Sequence, residues 1–270
     1  MRLPFAIAFA GLLASCTTTF AEPRLLVTPY LAVYRLHGDV GMQSSPTPGT
    51  LQDNAAQSLR TFGQNKFSED FGLRADLGDG FAGLRVDYYR LDQSTPRSGV
   101  LGADWGRLVT GDQVQMNATM DEVRAGWLEP VWSHRTMYRD KPLQLRFAAG
   151  GVLTHRDMTM RATTTDGARS QRLGISGDTA AIAARMRVTW RDVNFDLDYA
   201  LSPNLVISGD YGKVQQDVEA RLGYTLPLHD VTFFGGYRYS RIRANGGNDG
   251  FGYDADLVLD GWQFGITVTF

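Results

Sequence analysis

The chain has 270 residues, a formal charge of -2 and a mean hydropathy of -0.23. This balance provides no basic surplus for binding nucleic acid. After residue 21 no apolar run reaches the ~20 residues that a membrane-spanning helix needs, so a helical membrane protein is excluded. The 30 Gly, 11 Tyr and 14 Phe suit an all-β chain with many turns. Cys16 is the only cysteine, so the chain after it has no disulfide.

The first 21 residues are predicted to be a signal peptide. Arg2 supplies a positive charge, and Leu3–Ala14 supplies an apolar stretch. Two processing sites compete. Cleavage after Ala21 fits ordinary signal peptidase, whereas residues 13–16 match a lipobox that would lipidate Cys16. We favour cleavage after Ala21, which divides the chain into a signal peptide, 1–21, and a single domain, 22–270.

Segments of about ten alternating residues recur along the rest of the chain, and they predict ten β-strands. Short turns, such as Arg191-Asp192, alternate with long polar connections. In chain order, the predicted strands are about 25–36, 67–77, 82–91, 119–128, 143–155, 180–190, 193–201, 215–226, 231–243 and 257–270. Residues 202–211 could extend the seventh strand, and eight or twelve strands are also compatible with the pattern. An even number brings both termini to the same side of a barrel.

One face of these strands is apolar and aromatic. In the fifth strand this face has Leu143, Leu145, Phe147 and Leu153, and the seventh strand has the same pattern. A soluble sandwich or a lipocalin would turn these residues inward, whereas a membrane barrel turns them toward lipid. Four aromatic residues near the predicted turns are candidates for a girdle at the membrane interface: Trp127, Trp132, Trp190 and Tyr224.

The opposite face of the strands is charged. The two-residue turn at Arg191-Asp192 fixes the register of its hairpin, and the turn after Pro227 fixes the next. Counting outward from these turns predicts three pairs of opposite charge: Arg187 with Asp196, Arg185 with Asp198, and Glu219 with Arg238. The interior of a small barrel is just wide enough for side chains to fill. We therefore expect a narrow lumen occupied by ion pairs rather than an open porin channel.

The last predicted strand ends on the last residue. Phe270, Val268, Ile266 and Phe264 lie on one face, and small or polar residues lie on the other. This ending resembles the closing strand of bacterial outer-membrane β-barrels, in which a C-terminal Phe is the signal for the barrel-assembly machinery. The resemblance implies a small monomeric barrel in a Gram-negative outer membrane, in contact with membrane lipid and lipopolysaccharide. Both termini would then lie in the periplasm.

Weak catalytic candidates occur at the predicted outer rim. His37 and His155 each have an acid two residues later, Asp39 and Asp157, and a hydrolase acting on lipid A or peptides would place such groups there. Solvated rim residues explain the same pattern, because spacing alone does not establish an active site. The other two histidines, at positions 134 and 229, lie in predicted turns. We therefore predict a protein that is not an enzyme.

No cofactor or metal site is predicted. The Asp-rich and Gly-rich segment 245–256 contains Asp249, Asp254 and Asp256, but it lacks the regular ligand spacing of a calcium loop. The preferred function is that of a non-enzymatic envelope protein with long outer loops and a structural or binding role. A narrow channel for small solutes and the rim hydrolase are the two alternatives.

Overall fold

The structure is a computed structural model that describes residues 24–47, 49–64, 66–94, 97–203, 206–212, 214–227 and 230–270. Ten long antiparallel strands form its wall: β1 Arg24–Met42, β2 Ser68–Gly78, β3 Gly83–Ser94, β4 Gln113–Tyr138, β5 Lys141–Thr164, β6 Ser170–Trp190, β7 Val193–Ser202, β8 Gln215–Thr225, β9 Val231–Asn248 and β10 Phe251–Thr269. The predicted signal peptide with Cys16, and His229, lie outside the described residues. None of the described helical segments is long and apolar enough to cross a membrane.

Each strand pairs with its neighbours in sequence, and β1 pairs with β10, so the sheet closes on itself. The stagger of the strands can be counted from the paired residues. Starting at Leu36 on β1 and following the pairs once around the barrel leads back to β1 at Arg24, 12 positions earlier. Ten strands with this stagger are tilted by roughly 40° to the barrel axis. The predicted ten-stranded antiparallel barrel is confirmed.

Several strands are longer than predicted, mainly at the ends away from the short turns. β4 begins at Gln113 rather than at about 119, and β6 begins at Ser170 rather than at about 180. The predicted extension of the seventh strand is a separate strand, Val206–Gly209, that pairs with β6. The predicted connection 130–142 is wrong, because β4 and β5 continue through it as a regular hairpin.

The barrel has two halves of opposite polarity. In the half with the short turns, aromatic and aliphatic side chains face outward, and charged side chains face inward. Strand β5 shows the change along its length. Among its outward residues, Leu145, Phe147 and Leu153 lie nearer the short turns than His155 and Asp157 do. Among its inward residues, Arg146 and Arg156 lie nearer the short turns than Met158 and Met160 do. The apolar outer band covers about ten residues per strand, which matches the ~25 Å band of a membrane barrel.

The second half of the barrel is filled with apolar side chains. The inward residues Met116, Met158, Met160, Ile175 and Leu257 are fully buried there. Two connections between strands fold into this end and close it. Residues 43–64 contribute Leu59 and Phe62 from a short 3-10 helix, and residues 97–112 contribute Leu101, Trp105 and Leu108. We call this closed end the apolar cap.

A glycine in the wall makes room for a buried aromatic ring. Gly72 on β2 lies opposite Tyr30 on β1, and a Cβ atom at Gly72 would be 2.1 Å from the Tyr30 ring. The ring lies across the glycine, and its hydroxyl donates to Asp87 at 2.8 Å. Glycine is therefore required at this position by the close approach of the ring.

Replacing Gly72 with Val is expected to displace the Tyr30 ring from Asp87 and to destabilise the barrel by about 1–3 kcal/mol, the usual cost of overpacking. The measurement is the free energy of unfolding in urea with the protein in lipid vesicles. Gly151→Val is the matched control, because the nearest atom to its added Cβ is the Ala181 carbonyl oxygen at 3.6 Å. Equal losses in the two variants would contradict this role for Gly72.

Candidate functional site

We call the half of the barrel with the short turns the membrane half, and its lumen contains two groups of ion pairs. Near the short turns, Arg187 donates to Asp196 at 2.5 and 2.7 Å, and Arg185 donates to Asp198. These are the two pairs that the Arg191-Asp192 turn predicts, and the structure places them opposite each other on β6 and β7. Arg221 on β8 joins them, because it reaches Asp198 at 3.1 Å and Asp196 at 3.5 Å.

Arg74 crosses the middle of the lumen and connects distant walls. It lies on β2, is only 1% exposed, and donates to Asp87 on β3 at 2.9 Å and to Glu219 on β8 at 3.0 Å. Tyr30 also contacts this group through its hydrogen bond to Asp87. The guanidinium therefore blocks the lumen where it lies between β2, β3 and β8.

A second group of charges lies between Arg74 and the apolar cap. Glu122 on β4 is fully buried, accepts a hydrogen bond from Arg156 at 2.7 Å and accepts another from Arg238 at 2.6 Å. Arg238 also donates to Asp217 at 2.7 Å, and Asp217 pairs with Arg124 at 3.1 Å. Glu122 thus holds two arginines from two walls of the barrel.

The structure places Glu219 opposite Arg238, as the sequence predicts, but it does not join their charges. Glu219 pairs with Arg74, and Arg238 pairs with Glu122 and Asp217. Sequence reasoning missed the lumen roles of Arg74 and Glu122. Arg74 lies opposite Asp87 and Glu122 lies opposite Arg156 on neighbouring strands, so register alone accounts for these two pairs. The contacts of Arg74 with Glu219 and of Glu122 with Arg238 cross the lumen between strands far apart in sequence, and register counting does not find them.

The cavities in the membrane half of the lumen are small. One of about 150 Å³ lies at the short-turn end, where Thr28, Thr225, Thr232 and Thr267 line it with charged residues of the network. Two more, of about 50 and 30 Å³, lie deeper along the wall that carries Val152 and Ala200. The ion pairs of Arg85 with Asp76 and Asp198 lie between the first cavity and the second.

The apolar cap closes the other end of the lumen. The rings of Phe62 and Trp105 meet edge to face with centroids 5.1 Å apart, and both side chains are fully buried. Gln64 attaches the first connection to the wall by donating from its side chain to the carbonyls of Gln93 and Met116. Burial of this apolar surface at ~25 cal/mol per Å² stabilises the cap.

The structure does not bring the predicted rim candidates together. His37 lies on β1 and contacts Asp260 at 3.0 Å, whereas His155 lies on β5, four strands away, and contacts Asp178 at 2.8 Å. Both histidines face outward, and neither pairs with the acid two residues later. Asp39 and Asp157 likewise face outward on their strands. The side chains therefore form no cleft that joins two histidines to a common acid.

The Asp-rich segment 245–256 is strand and tight turn rather than an ion-binding loop. Asp256 accepts two hydrogen bonds from Arg241, at 2.9 and 2.7 Å, and these hydrogen bonds lower the pKa of Asp256. Asp249 lies in the two-residue turn between β9 and β10, with a φ of 52°. Within the described residues, no group of three or more His, Cys, Asp or Glu side chains is arranged to hold a metal ion.

The predicted girdle residues lie at the turn end of the wall. Trp132 and Tyr224 are exposed there, Trp190 is the last residue of β6, and Trp127 donates from its indole to Glu129 at 2.6 Å. Phe270 is 73% exposed, and its backbone forms two hydrogen bonds with Leu25 of β1. The final residue therefore completes the ladder that closes the barrel, together with Phe264, Ile266 and Val268 on β10.

No protein-family model and no curated protein matches the chain. Solved structures that are similar to it include Ail, the attachment invasion locus protein of Yersinia pestis, at 9% identity and a TM-score of 0.33, with 92% of this chain and 98% of that chain covered. The P. putida toluene transporter TodX matches at 10% identity and a TM-score of 0.29, covering 94% of this chain and 92% of that chain. A Pseudomonas aeruginosa FadL homologue matches at 8% identity and a TM-score of 0.28, covering 93% and 90%.

The assignment of the fold rests on the strand pairing and polarity of the chain itself. A closed antiparallel wall with an apolar aromatic exterior and a charged interior is the architecture of an outer-membrane β-barrel. The ion-pair network and the apolar cap are the features that distinguish its interior from that of a water-filled pore.

Proposed function

We propose that the protein is a non-enzymatic outer-membrane barrel that keeps its own lumen closed and presents its apolar cap, with the surface around it, outside the cell. Its role is either structural or the binding of a partner through the surface at the capped end. The observation that carries the proposal is the apolar cap, in which two long connections fill the outer half of the barrel with fully buried side chains. Solutes would have to cross both this cap and the ion-pair network.

The orientation and the partners belong to the same proposal. Long connections mark the outer side of a bacterial barrel and short turns mark the periplasmic side, so the cap faces outward and both termini lie in the periplasm. Lipopolysaccharide would surround the polar outer face above the aromatic band. The barrel-assembly machinery would engage the final strand, whose apolar residues end at Phe270, and the barrel would act as a monomer.

Planar-bilayer recording tests the closed lumen. The purified protein is expected to give no steady single-channel conductance, because buried apolar side chains fill the cap and ion pairs occupy the lumen below it. A reproducible conductance step of the unmodified protein would contradict the proposal and favour the narrow-channel alternative. A known open porin, reconstituted in the same way, provides the positive control.

A further inference from the structure

The β4–β5 hairpin extends beyond the rest of the barrel on the side of the short turns. The last pair of β4 with β3 joins Leu128 to Gly83, yet β4 continues for ten more residues to Tyr138. On the other side, the last pair of β5 with β6 joins Leu143 to Trp190. All residues from Pro130 to Pro142 are exposed, and this hairpin end is much longer than the two-residue turn at Arg191-Asp192, which is also exposed.

This extension is an ordered hairpin. Its ladder resumes after a bulge at Val131 and runs from Trp132, opposite Phe147, to Tyr138, opposite Lys141. The turn residues Arg139 and Asp140 have φ values of 50° and 59°, which are those of a type I′ hairpin turn. The Tyr138 ring packs against Trp190 with centroids 6.0 Å apart, so the hairpin is held against the adjacent turn.

One edge of the hairpin has no strand beside it. Among the described residues, Trp132–Tyr138 of β4 pair only with β5, and the bulge residue Val131 has no strand partner. The opposite edge of this part of β4 has no strand beside it, because the pairing of β4 with β3 ends at Leu128. Such an edge presents backbone donors and acceptors to another extended chain. Val131 and Met137 are 61% and 65% exposed, so apolar side chains accompany the free edge.

The charge of the hairpin indicates the kind of partner. Residues 131–142 contain Arg135, Arg139 and Lys141 against the single acid Asp140, whereas the whole chain has a charge of -2. Arg191 in the neighbouring turn adds a further cation, which lies 4.8 Å above the Trp190 ring. A cationic strand edge is complementary to an acidic extended segment.

We propose that the free edge Val131–Tyr138 binds an acidic extended peptide segment of a periplasmic partner by adding it as a strand. The periplasmic setting rests on the orientation under Proposed function, whereas the binding itself rests on the hairpin alone. The barrel would then connect a partner in the periplasm to the capped end outside the cell.

The probe is a fluorescein-labelled ten-residue peptide in which Glu alternates with Val and Thr, added to the purified full chain in detergent micelles. Fluorescence anisotropy is expected to show saturable binding, and a peptide with Lys in place of Glu is expected not to bind. Arg135→Glu with Lys141→Glu should weaken binding by about tenfold or more, as expected for lost charge complementarity. Arg161→Glu with Arg172→Glu, a paired and exposed site at the other end of the barrel, should leave binding unchanged.

Amide hydrogen exchange distinguishes strand addition from contact through charge alone. The bound peptide should slow exchange at Val131–Tyr138 and leave residues 165–169 unaffected. Binding without this protection, or equal weakening by the two double variants, would overturn the proposal. Binding to phosphatidylglycerol vesicles with no peptide binding would also overturn it, in favour of a lipid-headgroup surface.

Labelling of an introduced cysteine separates this inference from the proposed function. The described chain contains no cysteine, so Asp140→Cys provides a single site. A membrane-impermeant maleimide should label it only after the outer membrane is permeabilised. Labelling of intact cells would refute the orientation and with it a periplasmic partner, even if the peptide still binds in micelles. Periplasmic labelling without peptide binding would refute the strand-addition proposal alone.

Discussion

Replacing Glu122 with Ala is expected to destabilise the barrel by about 3–5 kcal/mol, the usual cost of removing one member of a buried ion pair. The variant would leave two buried guanidiniums, those of Arg156 and Arg238, without their common carboxylate. Arg238 keeps Asp217, but Arg156 keeps no carboxylate partner, only the neutral amide of Gln215 at 3.1 Å and the Tyr211 ring at 5.7 Å. The measurement is the free energy of unfolding in urea with the protein in lipid vesicles.

The neighbouring residue provides the matched control. Asp121 lies one position away on the same strand, faces outward and accepts a hydrogen bond from the Tyr88 hydroxyl at 3.0 Å. Asp121→Ala should therefore change the free energy of unfolding by about 0.5 kcal/mol or less, as surface substitutions do. Glu122→Gln keeps the shape of the side chain and serves if the Ala variant does not fold. Equal effects at positions 121 and 122 would contradict the role assigned to Glu122.

Replacing Trp105 with Ala is expected to loosen the apolar cap by about 3–5 kcal/mol while the strand wall persists. The indole is fully buried against Phe62 and belongs to a connection that few backbone hydrogen bonds attach to the wall. Limited proteolysis should therefore cut residues 97–112 much faster in this variant. The folded barrel should keep its fast migration on unheated denaturing gels.

The same variant tests whether two barriers close the lumen in series. Conductance should stay absent in Trp105→Ala, because Arg74 and Glu122 still occupy the membrane half. Trp132→Ala is the control for loss of an indole, since Trp132 is 55% exposed on the hairpin. Unchanged proteolysis in Trp105→Ala, or faster cleavage in both variants, would show that the cap does not depend on this side chain.

The sequence predicts the membrane half of the barrel well for a physical reason. There, lipid faces one side of every strand and a charged lumen faces the other, so polarity alternates with period two through segments such as 143–153. Tight turns then fix the register, which is why Arg187 and Asp196 could be paired from sequence. The strand count follows from the same regularity.

The half of the barrel closed by the apolar cap is harder to predict, because the inward face of each strand changes there from charged to apolar and the outward face changes from apolar to polar. On β4 the inward series changes from Glu122 to Met120 while the outward series changes from Val123 to Asp121. The alternation of outward apolar residues and inward charged residues therefore ends near these positions, although the strand continues. The cap also escaped prediction, since residues 43–64 and 97–112 have no strand period.

The contacts across the lumen have a different origin. Arg74 and Glu219 are 145 positions apart, and Glu122 and Arg238 are 116 positions apart. Their meeting depends on the curvature and stagger of the whole wall, which pairwise counting from one turn does not contain. The sequence likewise predicts a connection at the protruding hairpin, because Pro130 and Pro142 mark breaks that the structure accommodates beside a bulge and at the start of β5.

The level at which polarity inverts also determines how deeply the barrel lies in the bilayer. Arg35 on β1 and the contacting pair His155 and Asp178 on β5 and β6 face outward just above the apolar band, on two well-separated parts of the wall. Sinking the barrel by two residues would bring such side chains into hydrocarbon, and each charged group at the midplane costs about 2–4 kcal/mol, with smaller costs near the interface. Raising it by the same amount would lift the residues at the upper edge of the apolar band, such as Leu153 on β5, out of the hydrocarbon. The barrel is thus held at one height, which keeps the cap above the lipid and the β4–β5 hairpin below it.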